Sequence, residues 1–299
     1  MAQKITKALI PAAGFGTRFL PQTKAMPKEM MPLVDKPIIQ RVVEELVEAG
    51  IETVVIVTGW NKRSIEDHFD NNFELERKLE EAGKIEELAL VRQISDMAEF
   101  VYIRQKGPMG TGTPVLNAKH IMGDDPFLIF WGDEFVDAKP SRAKQLIDAY
   151  ERYQTMILGT IKYEGDDGLK KYGYVGGDSV GDGVFRVKQF VEKPGTRENA
   201  PSNLVGNGGI VATVDIYEAL EEVMAIKSQD RELYLTDGTQ KIIDKGIPVH
   251  AIELQNAIYR DTGNKIDYLK TVIEYGLMHP DTSEGLKKYL TNLVKNTLQ

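Results

Sequence analysis

Cysteine is absent from the 299 residues. That excludes disulfides, thiolate nucleophiles and cysteine-ligated zinc, and fits a reducing compartment. An excess of positive charge is missing too: 37 Lys+Arg against 45 Asp+Glu leave a net charge of -8. Such a balance disfavours broad tracking along nucleic-acid phosphates, so no nucleic-acid partner is expected, although one basic pocket for a small phosphorylated ligand stays open. No apolar run reaches the ~18 residues of a membrane-spanning helix, and Met1 to Lys7 has no apolar signal core. Neither a membrane association nor export is expected, and a cytoplasmic location is. Histidine is scarce, with His68, His120, His250 and His279 scattered along the chain.

What is there is an ordinary globular composition, 42% hydrophobic and 27% charged. Apolar runs alternate with segments of helical period, and no short repeat or low-complexity tract interrupts them. Ala8 to Ala12 reads as a short strand ending at glycines, and Ile38, Ile39, Val42, Val43, Leu46 and Val47 fall on one helical face that stops at Gly50. Thr53 to Thr58 (TVVIVT) is β-branched throughout, as in a strand buried on both faces. Val101 to Arg104, Phe127 to Trp131 and Met156 to Ile161 repeat that texture. The alternation predicts an α/β fold with a mixed, mostly parallel central sheet flanked by helices. Asn71 to Asp96 reads as a solvated helical excursion. After Tyr163 the texture becomes glycine-rich and hairpin-like, with further strands at Gly209 to Thr213 and Val249 to Ile258, and Asn264 to Gln299 is amphipathic and helical. The expected organisation is a single domain over 1–263, with an α/β part over about 1–163 and a small β-rich part over about 164–263. A helical tail over 264–299 follows, available for contact with a second copy.

The stretch from Leu9 to Leu33, LIPAAGFGTRFLPQTKAMPKEMMPL, carries the strongest signal. Small residues directly after a strand let backbone N–H groups approach an anion with no Cβ in the way. Pro21, Pro27 and Pro32 forbid a continuous helix, so the loop must wrap around something while carrying Arg18 and Lys28. A polyphosphate is the natural guest for a guanidinium fork and an ammonium point charge. The dinucleotide fingerprint fails, because Phe19 stands where its third glycine belongs. The P-loop fails as well, because the Gly83-Lys84 pair continues with Ile85.

The whole string resembles the signature of the sugar-phosphate nucleotidylyltransferases, and its TKAMPKEM wording is similar to the bacterial UTP–glucose-1-phosphate uridylyltransferases. Six further segments follow in family order: Ile103 to Gly112 with Gln105 and Gly110, Trp131-Gly132-Asp133, Tyr172 to Val175, Val191 to Pro194, Glu232 to Asp237, and Tyr259 to Asn264. The resemblance implies a Rossmann-like nucleotidyltransferase fold, with the part over about 1–163 binding the nucleotide and the small β-rich part over about 164–263 binding the sugar phosphate. The implied reaction is attack of glucose 1-phosphate on the α-phosphorus of UTP, releasing pyrophosphate with the help of Mg²⁺.

It also implies roles. Ala12, Ala13, Gly14 and Gly16 would meet the nucleotide through the backbone, and Glu29, Gln105 and Gly110 would face it. Arg18 and Lys28 would hold the triphosphate. Gly173 and Glu192 would contact the sugar, and Lys193 would neutralise charge at the sugar phosphate and the α-phosphorus. Asp133 and Asp261 would hold a single Mg²⁺. Asp133 ends an apolar strand, where open α/β sheets place their ligands, and hard oxygen donors suit this ion. A homo-oligomer, dimer or tetramer, is expected. The same-class alternative is an enzyme using dTTP or another hexose 1-phosphate, and a non-catalytic nucleotide-sugar sensor is the alternative of a different class.

Overall fold

Side-chain alternation decides how the first half is layered. The chain is described as a computed structural model over residues 3–226 and 232–297, so the outermost residues of the expected spans, 1–2 and 298–299, lie outside the described residues. Strand β1 (Lys7–Ala12) leads through a short ribbon, β2 (Pro32–Leu33) with β3 (Lys36–Pro37), into helix α1 (Ile38–Glu48). Strand β4 (Thr53–Thr58) follows and lies parallel to β1. Val54 and Ile56 of β4 point into one core, and Val55 and Val57 into another on the opposite face. Such two-sided burial is why the segment is apolar throughout. Helix α1 lays Ile38, Ile39, Val42, Val43 and Leu46 on the first face, all fully buried, each contributing about 1.5–3 kcal/mol of transfer free energy.

After helix α2 (Arg63–Phe69), the expected helical excursion forms two pieces, α3 (Phe73–Glu81) and α4 (Ile85–Ser95). They lead to edge strand β5 (Glu99–Arg104), parallel to β4. Helix α5 (Thr113–Met122) crosses back to β6 (Phe127–Ile129), parallel to β1. After β7 (Glu134–Ala138) and α6 (Arg142–Tyr153) the chain enters β8 (Met156–Lys162).

From there the connections change character. Strands β9 (Gly173–Gly181) and β10 (Val184–Glu192) form a hairpin through Asp182 and Gly183, both at positive φ, as a tight two-residue turn requires. Strands β11 (Leu204–Val205) and β12 (Ile210–Ala212) precede helices α7 (Asp215–Ile226) and α8 (Leu235–Asp244). The expected strand over Val249 to Ile258 is two strands, β13 (Val249–Glu253) and β14 (Ala257–Asp261), parted at Asn256 with φ 49°. Helices α9 (Lys265–Met278) and α10 (Ser283–Thr297) end the chain.

One ten-stranded sheet results, in the order β11-β9-β10-β13-β8-β12-β6-β1-β4-β5. Only part of it is parallel: β1/β4, β1/β6, β4/β5 and β8/β13 are, and the other pairings are antiparallel. The sheet is mixed, as expected, but not mostly parallel, since antiparallel pairings outnumber parallel ones. Helical crossovers accompany the parallel order of β1, β4, β5 and β6, whereas the two-residue turn between β9 and β10 makes that pair antiparallel. Residues 164–263 continue this same sheet and add α7 and α8. No described helix is long and apolar enough to cross a membrane.

Candidate active site

A cleft of about 370 Å³ opens beyond the C-terminal ends of β1, β5 and β6, and Ala13, Gly14, Gln105 and Asp133 line that side of it. Open α/β sheets place their ligand sites at these strand ends. Its opposite wall is built by the hairpin β9–β10 and the turn after β14, through Gly173, Glu192, Lys193, Asp261 and Gly263.

The two expected metal ligands meet because of a separate ribbon. Strand β7 pairs with β14 so that Asp261 stands opposite Glu134, one residue from Asp133. Beside the turn lies Gly263. A Cβ built there would sit 3.0 Å from Oδ1 of Asp261, 3.4 Å from Oδ2 of Asp133 and 3.7 Å from the Arg18 guanidinium. Both carboxylates therefore border one small space that a glycine leaves open. Asp261 is held rigidly: its Oδ1 accepts the Gly263 N–H at 2.9 Å, and its Oδ2 accepts the Tyr172 hydroxyl at 2.7 Å and the Asn264 amide at 3.1 Å. Two hard oxygen donors facing a shared gap fit a divalent cation that draws its other ligands from phosphate and water. No group of three or more His, Cys, Asp or Glu side chains among the described residues is arranged to hold a metal.

The proline-punctuated loop folds as three separate single turns, Thr17–Phe19, Gln22–Lys24 and Lys28–Met30. Gly16, at φ 65°, accepts the Thr23 hydroxyl at 2.7 Å and closes the first turn. The loop delivers Arg18 and Lys28 into the cleft. Arg18 donates to the Gly263 carbonyl at 3.4 Å, and the Lys28 ammonium bonds the Asp133 carboxylate. Burial by itself would lower the Lys28 pKa, but Asp133 and Glu29 beside it more than reverse this and hold it above the ordinary lysine range.

Three expected nucleotide contacts fall elsewhere. Ala12 is buried inside β1 and Gly16 packs on Thr23, so neither lines the cleft. Glu29, expected to face the nucleotide, instead points into the protein and pairs with Lys62 at 2.7 Å, the two side chains being 1% and 3% exposed. A buried carboxylate that broke this pair to reach the cleft would leave an uncompensated charge behind.

Gln105, also in the cleft wall, donates its side-chain amide to the Pro108 carbonyl at 3.3 Å. Gly110 has φ 122°, and a Cβ there would lie 2.3 Å from the Leu233 carbonyl oxygen, so no other residue fits this backbone path. The Leu233 N–H donates to Met109 and the Leu235 N–H to the Thr111 hydroxyl. Residues 109–111 are thus stitched to the start of α8.

The same stitched segment reaches the opposite wall. The Thr236 hydroxyl donates to Glu192 at 2.7 Å, and the Lys193 ammonium lies 4.7 Å from the Tyr234 ring centre and 3.4 Å from Glu192. Lys193 sits at φ 46°, a left-handed conformation. Gly173 and Gly206 bracket the Phe190 ring, because a Cβ on either would come within 2.8 Å of it. The space for a ligand depends on both glycines.

Several cleft residues escape a reading of sequence alone. Glu134 borders the cleft, and its carboxyl accepts the Tyr259 hydroxyl while its Oε1, shielded from solvent, has no hydrogen-bond partner. Burial pushes its pKa up to about 8 against the opposing pull of the Tyr259 hydrogen bond, and Asp133 adds to the rise. Tyr172, Phe190, Tyr234 and Thr236 also line the cleft. Tyr172, Tyr234 and Thr236 lie inside recognisable segments, but Phe190 and Glu134 have no sequence signal beyond their neighbours.

Residues 7–276 match the family model for nucleotidyl transferase. The chain is 43% identical over 295 residues to UTP–glucose-1-phosphate uridylyltransferase YngB of Bacillus subtilis, covering 99% of this chain and 97% of that protein. It is 44% identical over 300 residues to the UTP–glucose-1-phosphate uridylyltransferase of Streptococcus pneumoniae, covering 99% and 98%. Among solved structures, the UTP-bound UGPase of Acinetobacter baumannii superposes with a TM-score of 0.86 at 36% identity, covering 97% of this chain and all of that one. A UDP-glucose pyrophosphorylase complexed with UDP-glucose gives 0.80 at 37% identity, covering 92% of this chain and 100% of that one.

Proposed function

The chain belongs to the nucleotidyl transferase family, and from that premise we propose that it forms UDP-glucose and pyrophosphate from UTP and glucose 1-phosphate. The observation that carries this reading is the meeting of Asp133 and Asp261, from opposite parts of the chain, beside Gly263 in a cleft that also holds Arg18, Lys28 and Lys193. The reaction brings two polyanions together, so catalysis is mainly a matter of charge and alignment.

In this reading the backbone of Ala13 and Gly14 follows the nucleotide, and Gln105 and Gly110 bound the base. The Gln105 side-chain oxygen accepts the uracil N3–H. Arg18 and Lys28 hold the triphosphate, with Arg18 nearest the departing pyrophosphate. Glu192 accepts hydrogen bonds from sugar hydroxyls, and the Gly173 backbone approaches the sugar. Lys193 neutralises the attacking phosphate, so that its oxygen can approach the α-phosphorus in line. That phosphate has a second pKa near 6 and is mostly dianionic at neutral pH, so no catalytic histidine is needed. Asp133 and Asp261 would hold Mg²⁺, which supplies positive charge against the reacting phosphates when bound.

The chain also assembles as a homo-oligomer in this reading. Ile266, Leu269 and Ile273 recur at helical spacing on α9 and are 60%, 54% and 40% exposed, an apolar stripe suited to a second copy.

A matrix of nucleoside triphosphates against hexose 1-phosphates, read by pyrophosphate release with Mg²⁺, tests the activity. UTP with glucose 1-phosphate is expected to be the fastest pair. A strong preference for dTTP, or for another hexose phosphate, would overturn the substrate assignment. Absence of pyrophosphate from every pair would overturn the enzyme.

A further inference from the structure

The contact between Lys28 and Asp133 sets two of the site's roles against each other. The Lys28 ammonium bonds Oδ2 of Asp133, the oxygen that borders the shared space beside Gly263. The stem of Lys28 lies over the glycine turn after β1, its Cε 3.7 Å from where a Gly14 Cβ would sit. The two side chains are 24% and 21% exposed, so water screens their attraction less than it would at an open surface. One carboxylate oxygen cannot keep an ammonium and a divalent cation in the same place, because the cations repel.

We propose that Lys28 holds the metal position on Asp133 until a triphosphate draws it away, so that nucleotide and metal binding promote each other. The inference rests on the function proposed above, in which Lys28 serves the triphosphate and Asp133 the metal. The flexible four-carbon stem and compact charge of lysine suit such a transfer between two anionic partners. A metal ion meeting the nucleotide-free protein competes with Lys28, and its apparent affinity falls by the fraction of molecules in which Lys28 is off Asp133. The coupling is reciprocal, so metal bound first also raises nucleotide affinity.

Mn²⁺ titrated into the intact, nucleotide-free protein and followed by electron paramagnetic resonance tests this without any turnover. Wild type is compared with Lys28→Met, Lys28→Gln, Asp133→Asn and the Lys28→Met/Asp133→Asn pair, each checked for folding by thermal melting. The two Lys28 variants are expected to bind Mn²⁺ about tenfold more tightly than wild type, and Asp133→Asn is expected to cancel the gain. If the folded Lys28 variants bind no more tightly than wild type, the inference falls. The metal assignment itself still stands in that case, provided that Asp133→Asn alone weakens binding. A gain that survives Asp133→Asn overturns both the inference and the placing of the metal on Asp133.

Discussion

Lys193 is held in a left-handed conformation between Tyr234 and Glu192 and lines the cleft. In the role proposed for it, its removal takes away charge that binds the sugar phosphate and stabilises the transition state. Lys193→Ala is expected to raise KM for glucose 1-phosphate and lower kcat, with kcat/KM falling about 10²-fold. A change confined to the UTP parameters would show that Lys193 serves the nucleotide instead. Glu134 gives a prediction in pH. Its pKa is raised to about 8 in the folded chain from an ordinary 4.5, so the folded state keeps a proton that the unfolded state releases. Stability is therefore lost as pH rises from about 4.5 to 8. In metal-free protein, Glu134→Gln is expected to gain stability over wild type between pH 5 and pH 8, by on the order of 1–3 kcal/mol. Denaturant unfolding at the two pH values checks it, and an equal difference at both would sink it. Sequence patterns made Lys193 legible, while the state of Glu134 depends on burial and on Tyr259 from a strand far along the chain.

Among the elements, the link between residues 109–111 and the start of α8 matters most for the site. It ties the part of the cleft proposed to hold the base to Tyr234 and Thr236, which touch Lys193 and Glu192. Gly110 is its tightest point, at φ 122° with the Leu233 backbone where a Cβ would go. Gly110→Ala must displace that backbone, and is expected to destabilise the fold by about 1–3 kcal/mol. It is also expected to raise KM for both substrates, since both ends of the cleft shift together. Wild-type melting together with wild-type kinetics would show the link to be slack. The sequence marked Gly110 as a base contact, but its dependence on Leu233 arises only when residues far apart in the chain are packed together.

For the molecule as a whole, the apolar stripe of α9 leads to an expectation about assembly. Light scattering is expected to give a mass above the 33.5 kDa chain, and Leu269→Glu with Ile273→Glu is expected to return it to the monomer. A monomeric wild type would overturn the assembly. The mixed sheet also explains why the site is shared so widely. Its parallel part presents β1, β5 and β6 by their C-terminal ends, while the antiparallel part brings Gly173, Glu192 and Lys193 over the same cleft from the other side.

Local chemistry was determined by the sequence alone: buried β-branched runs made the strands of the first half, prolines broke the loop after β1 into separate turns, and glycines marked where a backbone passes close to something. These features depend on near neighbours in the chain, so they can be read without the fold. Only the tertiary structure decided that antiparallel pairings outnumber parallel ones in the sheet, that Glu29 turns inward to Lys62, and that Asp261 reaches Asp133 through the ribbon of β7 and β14. Those outcomes follow from strand pairing and from the cost of burying unpaired charge, which join residues that sequence spacing leaves far apart.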